Sequence, residues 1–247
     1  MTLFKNLPLE HWLSNTPHPW VLFMTWRNLM FASWRIPVET LRPHVPPELE
    51  IDTFDGTAWI TLVPMAVTDM HWRGIEPIPG MEAFRELNLR TYVKGKDRPG
   101  VYFLSIDCPA AFSDWIARHF FGVPYYEAQI ATYTDATSFH FASERTQKGQ
   151  PPASLFTTFR PLGDGAAPAP GSLEAFLVER YSLYFVGKSE VWRGDIHHDE
   201  WLLQHAEADL EVNTVSSAAG IVLGPKPDHA AFVVRTDTLI YPPVREH

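Results

Sequence analysis

The first sustained apolar run is Trp20–Trp34 (WVLFMTWRNLMFASW), with Arg27 as its only charge. It is too short to cross a bilayer and predicts one or two buried strands. Before it, residues 1–19 hold one amphipathic turn around Leu7–Leu13, ended by Pro17 and Pro19. Pro37 suits the first turn of a short helix over Pro37–His44, and Pro46-Pro47 forbid its continuation. Leu49–Thr53 and Thr57–Met65 read as a strand pair across the Asp55-Gly56 turn, and Asp69–Gly80 reads as a loop. Phe84–Val93 and Val101–Ile106 form a second predicted hairpin. In its first strand Phe84, Glu86, Asn88, Arg90 and Tyr92 share one face, and Leu87, Leu89, Thr91 and Val93 share the other. One face is apolar and packs; the other carries Glu, Asn and Arg in a row.

The pattern then shifts to helical spacing over Pro109–Phe121, closed by Gly122 and Pro124. Alternation returns between Tyr126 and Phe141, suggesting two strands, and again near Ser154–Phe159. Gly163–Gly171 reads as a loop, and Ser172 caps a helix reaching about Arg180. Strands follow at Tyr181–Val186, Glu190–Asp195, Leu202–Asn213 and Ala231–Ile240. The sum is eleven or twelve short strands with about three short helices. This predicts one α+β domain over residues 1–247, predominantly antiparallel β and curled into a barrel-like form.

Composition supports a large core: 45% of the 247 residues are hydrophobic, including nine Trp and sixteen Phe. The net charge of −9 and the lack of a basic stripe argue against a nucleic-acid or anionic-membrane partner. Cys108 is the only cysteine, so no internal disulfide can form and a reducing compartment is expected. MTLFKNLPLEHWL lacks the apolar core and cleavage site of a signal peptide, so the expected location is the cytoplasm. The expected partner is a small molecule, and self-association into a homo-oligomer stays open.

Three groups of residues invite chemistry. Glu86 with Arg90 and Arg27 could form a polar floor that orients an anion and shifts a carboxylate pKa; the bland alternative is a structural ion pair. The corner Asp195-Ile196-His197-His198-Asp199-Glu200 invites a metal, but adjacent residues rarely point at one ion and no standard ligand spacing is present. The expectation is therefore no metal, and His140, between Phe139 and Phe141, reads as a core residue. Cys108 precedes a helix start, where a thiol can be activated, yet free cysteines usually pack as small hydrophobes. Gly-x-Ser-x-Gly, P-loop and Gly-x-Gly-x-x-Gly motifs are absent, so no nucleotide cofactor is expected.

Several segments together resemble a known family. FRELNLRTYV, PGVYFLSID, RHFFGVPYY, YSLYF and the HHDEW corner look like the YqjF-like proteins of the acetoacetate-decarboxylase-like superfamily, over about Trp20 to Leu210. TLRPHVPPELEID and ARHFFGVPYY resemble shorter pieces of the decarboxylases themselves. The resemblance implies a curved antiparallel barrel or cone with a central cavity. It matches Arg27 to an arginine holding the substrate carboxylate and Glu86 to an active-site glutamate. Where the decarboxylases carry two lysines, this chain has Tyr125 and Tyr126. One of those lysines forms an imine with the ketone and the other lowers its pKa, and tyrosine can do neither. The resulting expectation is a cavity lined by Arg27, Glu86, Arg90, Tyr125 and Tyr126, with proton-transfer chemistry as a lyase, hydratase or isomerase and no Schiff-base decarboxylation. The alternative is a non-catalytic barrel that binds or senses a small ligand.

Overall fold

The computed structural model describes residues 19–75, 82–96, 98–110, 122–187 and 190–246. Thirteen strands join in one sheet: β1 Leu22–Ile36, β2 Glu50–Ile51, β3 Ala58–Trp72, β4 Phe84–Lys94, β5 Pro99–Cys108, β6 Tyr125–Thr134, β7 Phe139–Arg145, β8 Ser154–Ala166, β9 Ser182–Gly187, β10 Glu190–His198, β11 Leu203–Asn213, β12 His229–Ile240 and β13 Val244–Arg245. Three short helices are described: α1 Val38–Leu41, α2 Leu173–Val178 and α3 Val215–Ala218. A 3₁₀ turn, Arg42–His44, follows α1. The helix expected over Pro109–Phe121 lies outside the described residues from position 111 onward.

The sheet is antiparallel except where β5 runs parallel to β6 and to β9. Its ladders close into two rings. One passes through β12, β1, β3, β4, β5, β9 and β10 and back to β12. The other leaves β5 through β6, β7, β8 and β11 and returns to β12. The strands β12, β1, β3, β4 and β5 form a wall common to both. A shared wall is buried on both faces, which explains why β1 and β3 are apolar almost throughout rather than alternating. On β4, Leu87, Leu89 and Val93 enter one core with Leu62, Phe159 and Phe232. Across the wall a second core gathers Leu22, Met24, Val63, Met65 and Val101.

Local sequence accounts for much of this frame. Asp55 and Gly56 both have positive φ (49° and 74°), as a tight two-residue turn needs, and Phe54 pairs with Thr57 across them. The segment before that turn does not continue as a hairpin with β3. Glu50–Ile51 pairs instead with Lys94 and Val93 of β4. The reason is Asp52: its N–H donates to Tyr92 O at 2.9 Å and its carboxylate is drawn inward to Arg180, which pulls the chain across the end of β4. Two expected loops are strand in part. β3 continues to Trp72 past Asp69 (φ 57°), and β8 continues to Ala166, paired with Leu203. α2 starts where expected, with the Ser172 hydroxyl accepting from Ala175 N–H at 3.2 Å. α3 occupies a stretch without helical periodicity and is a four-residue turn after β11.

Candidate functional site

The ring of β1, β3, β4, β5, β9, β10 and β12 encloses a cavity of about 140 Å³. Most of its wall is apolar. Leu22, Met24, Trp26 and Leu29 come from β1, Val63 and Met65 from β3, and Val101, Phe103 and Ile106 from β5. Polar groups are concentrated on β4, where strand alternation turns Glu86, Asn88 and Arg90 to the cavity. Arg180 and Ser182, just after α2, Tyr125 at the start of β6 and Tyr241 after β12 add further polar groups to the lining.

Glu86 is 7% exposed, and desolvation lifts its carboxyl to about 7. The Asn88 Nδ2, which donates to Glu86 Oε1 at 3.3 Å, pulls weakly the other way. A carboxyl so placed exchanges its proton near neutrality. Burial, and then Glu86 and Cys108, push the Tyr125 hydroxyl well above its ordinary range, so it stays protonated. Cys108 is also pushed up, first by burial and then by the carboxylates of Glu86, Asp107 and Glu127. It is fully buried and packed in the apolar core. A thiol held in its neutral form is a poor nucleophile.

At the other end of the row, Arg90 Nη2 donates to Leu177 O at 2.9 Å, and its guanidinium lies 5.3 Å from the centre of the Phe31 ring. No carboxylate pairs with Arg90 among the described residues, and its Nε has no hydrogen-bond partner there. Arg180 is held differently. Its Nε donates to Phe176 O and its Nη1 to Asp52 Oδ2, both at 2.7 Å, so Asp52 neutralises it. The last turn of α2 thus anchors both arginines through backbone carbonyls.

Two of the residues expected in the cavity lie elsewhere. Trp26 points inward, so Arg27 points outward, and Asn28 (φ 50°) forms the irregularity that lets Leu29 point inward again. The Arg27 side chain is 40% exposed, donates to Thr68 Oγ1 at 2.9 Å and faces Asp69 at 3.6 Å. Alternation likewise separates the two tyrosines. Tyr125 lines the cavity, while the Tyr126 ring lies 4.0 Å from the Arg145 guanidinium, which pairs with buried Asp107 at 2.8 Å. The structure therefore brings together Glu86, Arg90 and Tyr125, and not Arg27 or Tyr126.

At the histidine corner, the His198 ring sits between Tyr181 (4.5 Å) and Trp201 (4.3 Å), and burial holds it neutral, down at about 4. Its Nδ1 meets Asp199 O at 2.8 Å. Among the described residues no three His, Cys, Asp or Glu side chains are grouped to hold a metal ion. His140 is part of a surface cluster rather than the core, 3.0 Å from both Thr158 Oγ1 and Asp135 Oδ2.

Residues 23–237 match the family DUF2071, described as "Uncharacterized conserved protein". The chain is also 38% identical over 223 residues to "Uncharacterized protein YqjF" of Bacillus subtilis (strain 168), covering 90% of this chain and 91% of that one. The chain belongs to this family. Among solved structures it is similar to the enduracididine biosynthesis enzyme MppR complexed with pyruvate, with a TM-score of 0.65, 14% identity and coverage of 93% and 91%. It is similar also to an acetoacetate decarboxylase, with a TM-score of 0.63, 12% identity and coverage of 95% and 93%. At these identities the likeness establishes the acetoacetate-decarboxylase-like fold and no more.

Four lysines are described, Lys94, Lys96, Lys148 and Lys226, and none lines the cavity; Lys5 and Lys188 fall outside the described residues. No helix among the described residues is long and apolar enough to cross a membrane. Sequence reading missed Arg180 and Asp52. No local pattern marks them: Asp52 follows Glu50-Ile51 and Arg180 follows Glu179, so each reads as one member of an ordinary charged pair.

Proposed function

We propose that the cavity performs proton transfer on a small carbonyl or carboxylate compound, without an imine intermediate. The observation that carries this reading is the Glu86 carboxyl, buried and lifted to about 7 inside an apolar cavity. General acids and bases work best when their pKa lies near the operating pH. Glu86 would take a proton from carbon next to a carbonyl and return it. Tyr125, kept neutral, would donate a hydrogen bond to the oxygen on which charge develops. Arg90, with no carboxylate of its own, would anchor the anionic end in place of Arg27. The pyruvate held by one structural neighbour is an anionic carbonyl compound of this class.

The reaction is visible as hydrogen exchange. Incubated in D2O with 2-oxobutanoate or 4-oxopentanoate, the protein should speed deuterium incorporation next to the carbonyl, followed by NMR. Glu86→Gln should slow it by about 100-fold, the contribution typical of a positioned base. Exchange no faster than in buffer for both compounds, or unchanged in Glu86→Gln, overturns the reading.

A second reading, a non-catalytic ligand-binding protein, is favoured by one observation: no lysine among the described residues lines the cavity, and the nearby Cys108 thiol is held neutral. A compound that raises the melting temperature and is recovered with its hydrogens unexchanged would support it.

A further inference from the structure

Asn88 lies midway between Glu86 and Arg90 on the cavity face of β4 and is 3% exposed. Its Nδ2 donates to Glu86 Oε1, which fixes the orientation of the amide. Its Oδ1 is buried and has no hydrogen-bond partner among the described residues. The flanking strands supply none, because the residues opposite Asn88 are Val63 on β3 and Ile106 on β5. A buried amide carbonyl without a donor costs free energy, so such an atom calls for a partner. Arg90 Nε, two residues along, is likewise unpartnered. The strand face thus presents, in order, a carboxyl, a lone acceptor and a lone cationic donor.

We propose that Asn88 is the specificity-determining residue of this cavity. Its Oδ1 accepts a hydrogen bond from a hydroxyl or N–H carried by the ligand. The ligand class follows from the order of the three groups, given the reading of Glu86 as base and Arg90 as anion anchor. It is a small carboxylate whose charged end is separated from the reacting carbon by a spacer of a few bonds, with a hydrogen-bond donor on that spacer. Four residues of strand place the Cα atoms of Glu86 and Arg90 about 13 Å apart, which leaves room for the spacer and disfavours a carboxylate directly beside the reacting carbon. Val63, Met65 and Phe103 supply the apolar wall against which its carbons would lie.

The test is calorimetric binding of hexanoate, 3-hydroxyhexanoate and 4-hydroxyhexanoate at pH 8.5, where Glu86 is ionised and holds the Asn88 amide in place. At least one hydroxy compound should bind about tenfold or more tightly than hexanoate, the effect of one hydrogen bond to an otherwise unpaired buried acceptor. Its methyl ether, which keeps the oxygen and loses the donor, should lose that advantage in the unaltered protein. Asn88→Leu should bind hexanoate and the hydroxy compound equally. The proposal is overturned if the native protein binds none of the three saturably. It is equally overturned if hexanoate binds as tightly as both hydroxy compounds, if the ether keeps the advantage, or if Asn88→Leu retains the preference. Failure of the proton-transfer reading shows separately, as absent exchange with the hydroxyl preference intact.

Discussion

Arg180 and Asp52, 128 positions apart in the chain, meet at 2.7 Å with both side chains almost wholly buried. The pair ties the segment before β3 to the segment after α2, where Arg180 lines the cavity. Removing one partner of a buried pair leaves an uncompensated charge. Asp52→Ala should therefore lower unfolding stability by about 3 kcal/mol, seen as a lower urea midpoint at unchanged slope. A midpoint within error of the parent would show that the pair adds nothing.

Glu86 should make the protein more stable in mild acid than at neutrality. Its folded pKa, about 7, lies above the ordinary 4.5. The folded state therefore holds a proton that the unfolded state has released throughout that interval. The stability from this group is fully present below 4.5 and is lost as pH rises to about 7, by about 3 kcal/mol in all. Asp107, raised to about 6 by burial against the pull of Arg145, adds loss of the same sign. Subtracting the Glu86→Gln stability profile isolates Glu86. The variant should match the parent near pH 4.5 and exceed it near pH 8, and a flat difference would refute the raised carboxyl.

The two tyrosines should separate cleanly. Tyr125→Phe removes the cavity hydroxyl proposed to donate to the substrate oxygen and should slow the exchange reaction by about tenfold or more. Tyr126→Phe keeps a ring beneath Arg145 and should change neither exchange nor stability beyond about 0.5 kcal/mol. Equal effects of the two substitutions would contradict the strand alternation at the start of β6.

The arginines make a matching pair. Arg90→Gln should weaken binding of a carboxylate ligand such as hexanoate by about tenfold or more, because it removes a charged donor from a largely apolar cavity. Arg27→Gln should leave that affinity unaltered, since its partners are Thr68 and Asp69 on the outer face. Calorimetric titration of both variants decides the point.

The polar row on β4 was legible because a strand's period of two needs no knowledge of its neighbours. Glu86, Asn88 and Arg90 could be placed on one face from spacing alone, and the Asp55-Gly56 turn and the Ser172 cap are equally local. Arg27 could not be placed that way. Its direction depends on which residues of β1 face the cavity, and the irregularity at Asn28 shifts that register within the strand. The partner of β2 was hidden for a similar reason. A hairpin turn predicts pairing with the next strand, and only the distant Arg180 explains why Asp52 carries the chain to β4 instead.

The wall common to both rings has a consequence for how the chain is made. β1 lies between β3, which follows within a few tens of residues, and β12, where Leu22 faces Ile240. On a ribosome, one long hydrophobic edge of β1 must therefore wait through the synthesis of on the order of 200 further residues before its partner exists. Pairings so distant in sequence are slow to form, and an unpaired apolar edge is a template for association with other chains. The ring around the cavity needs β12 to close, so it cannot form until nearly the whole chain has been made. A nascent or truncated chain lacking β12 should self-associate rather than bind ligand.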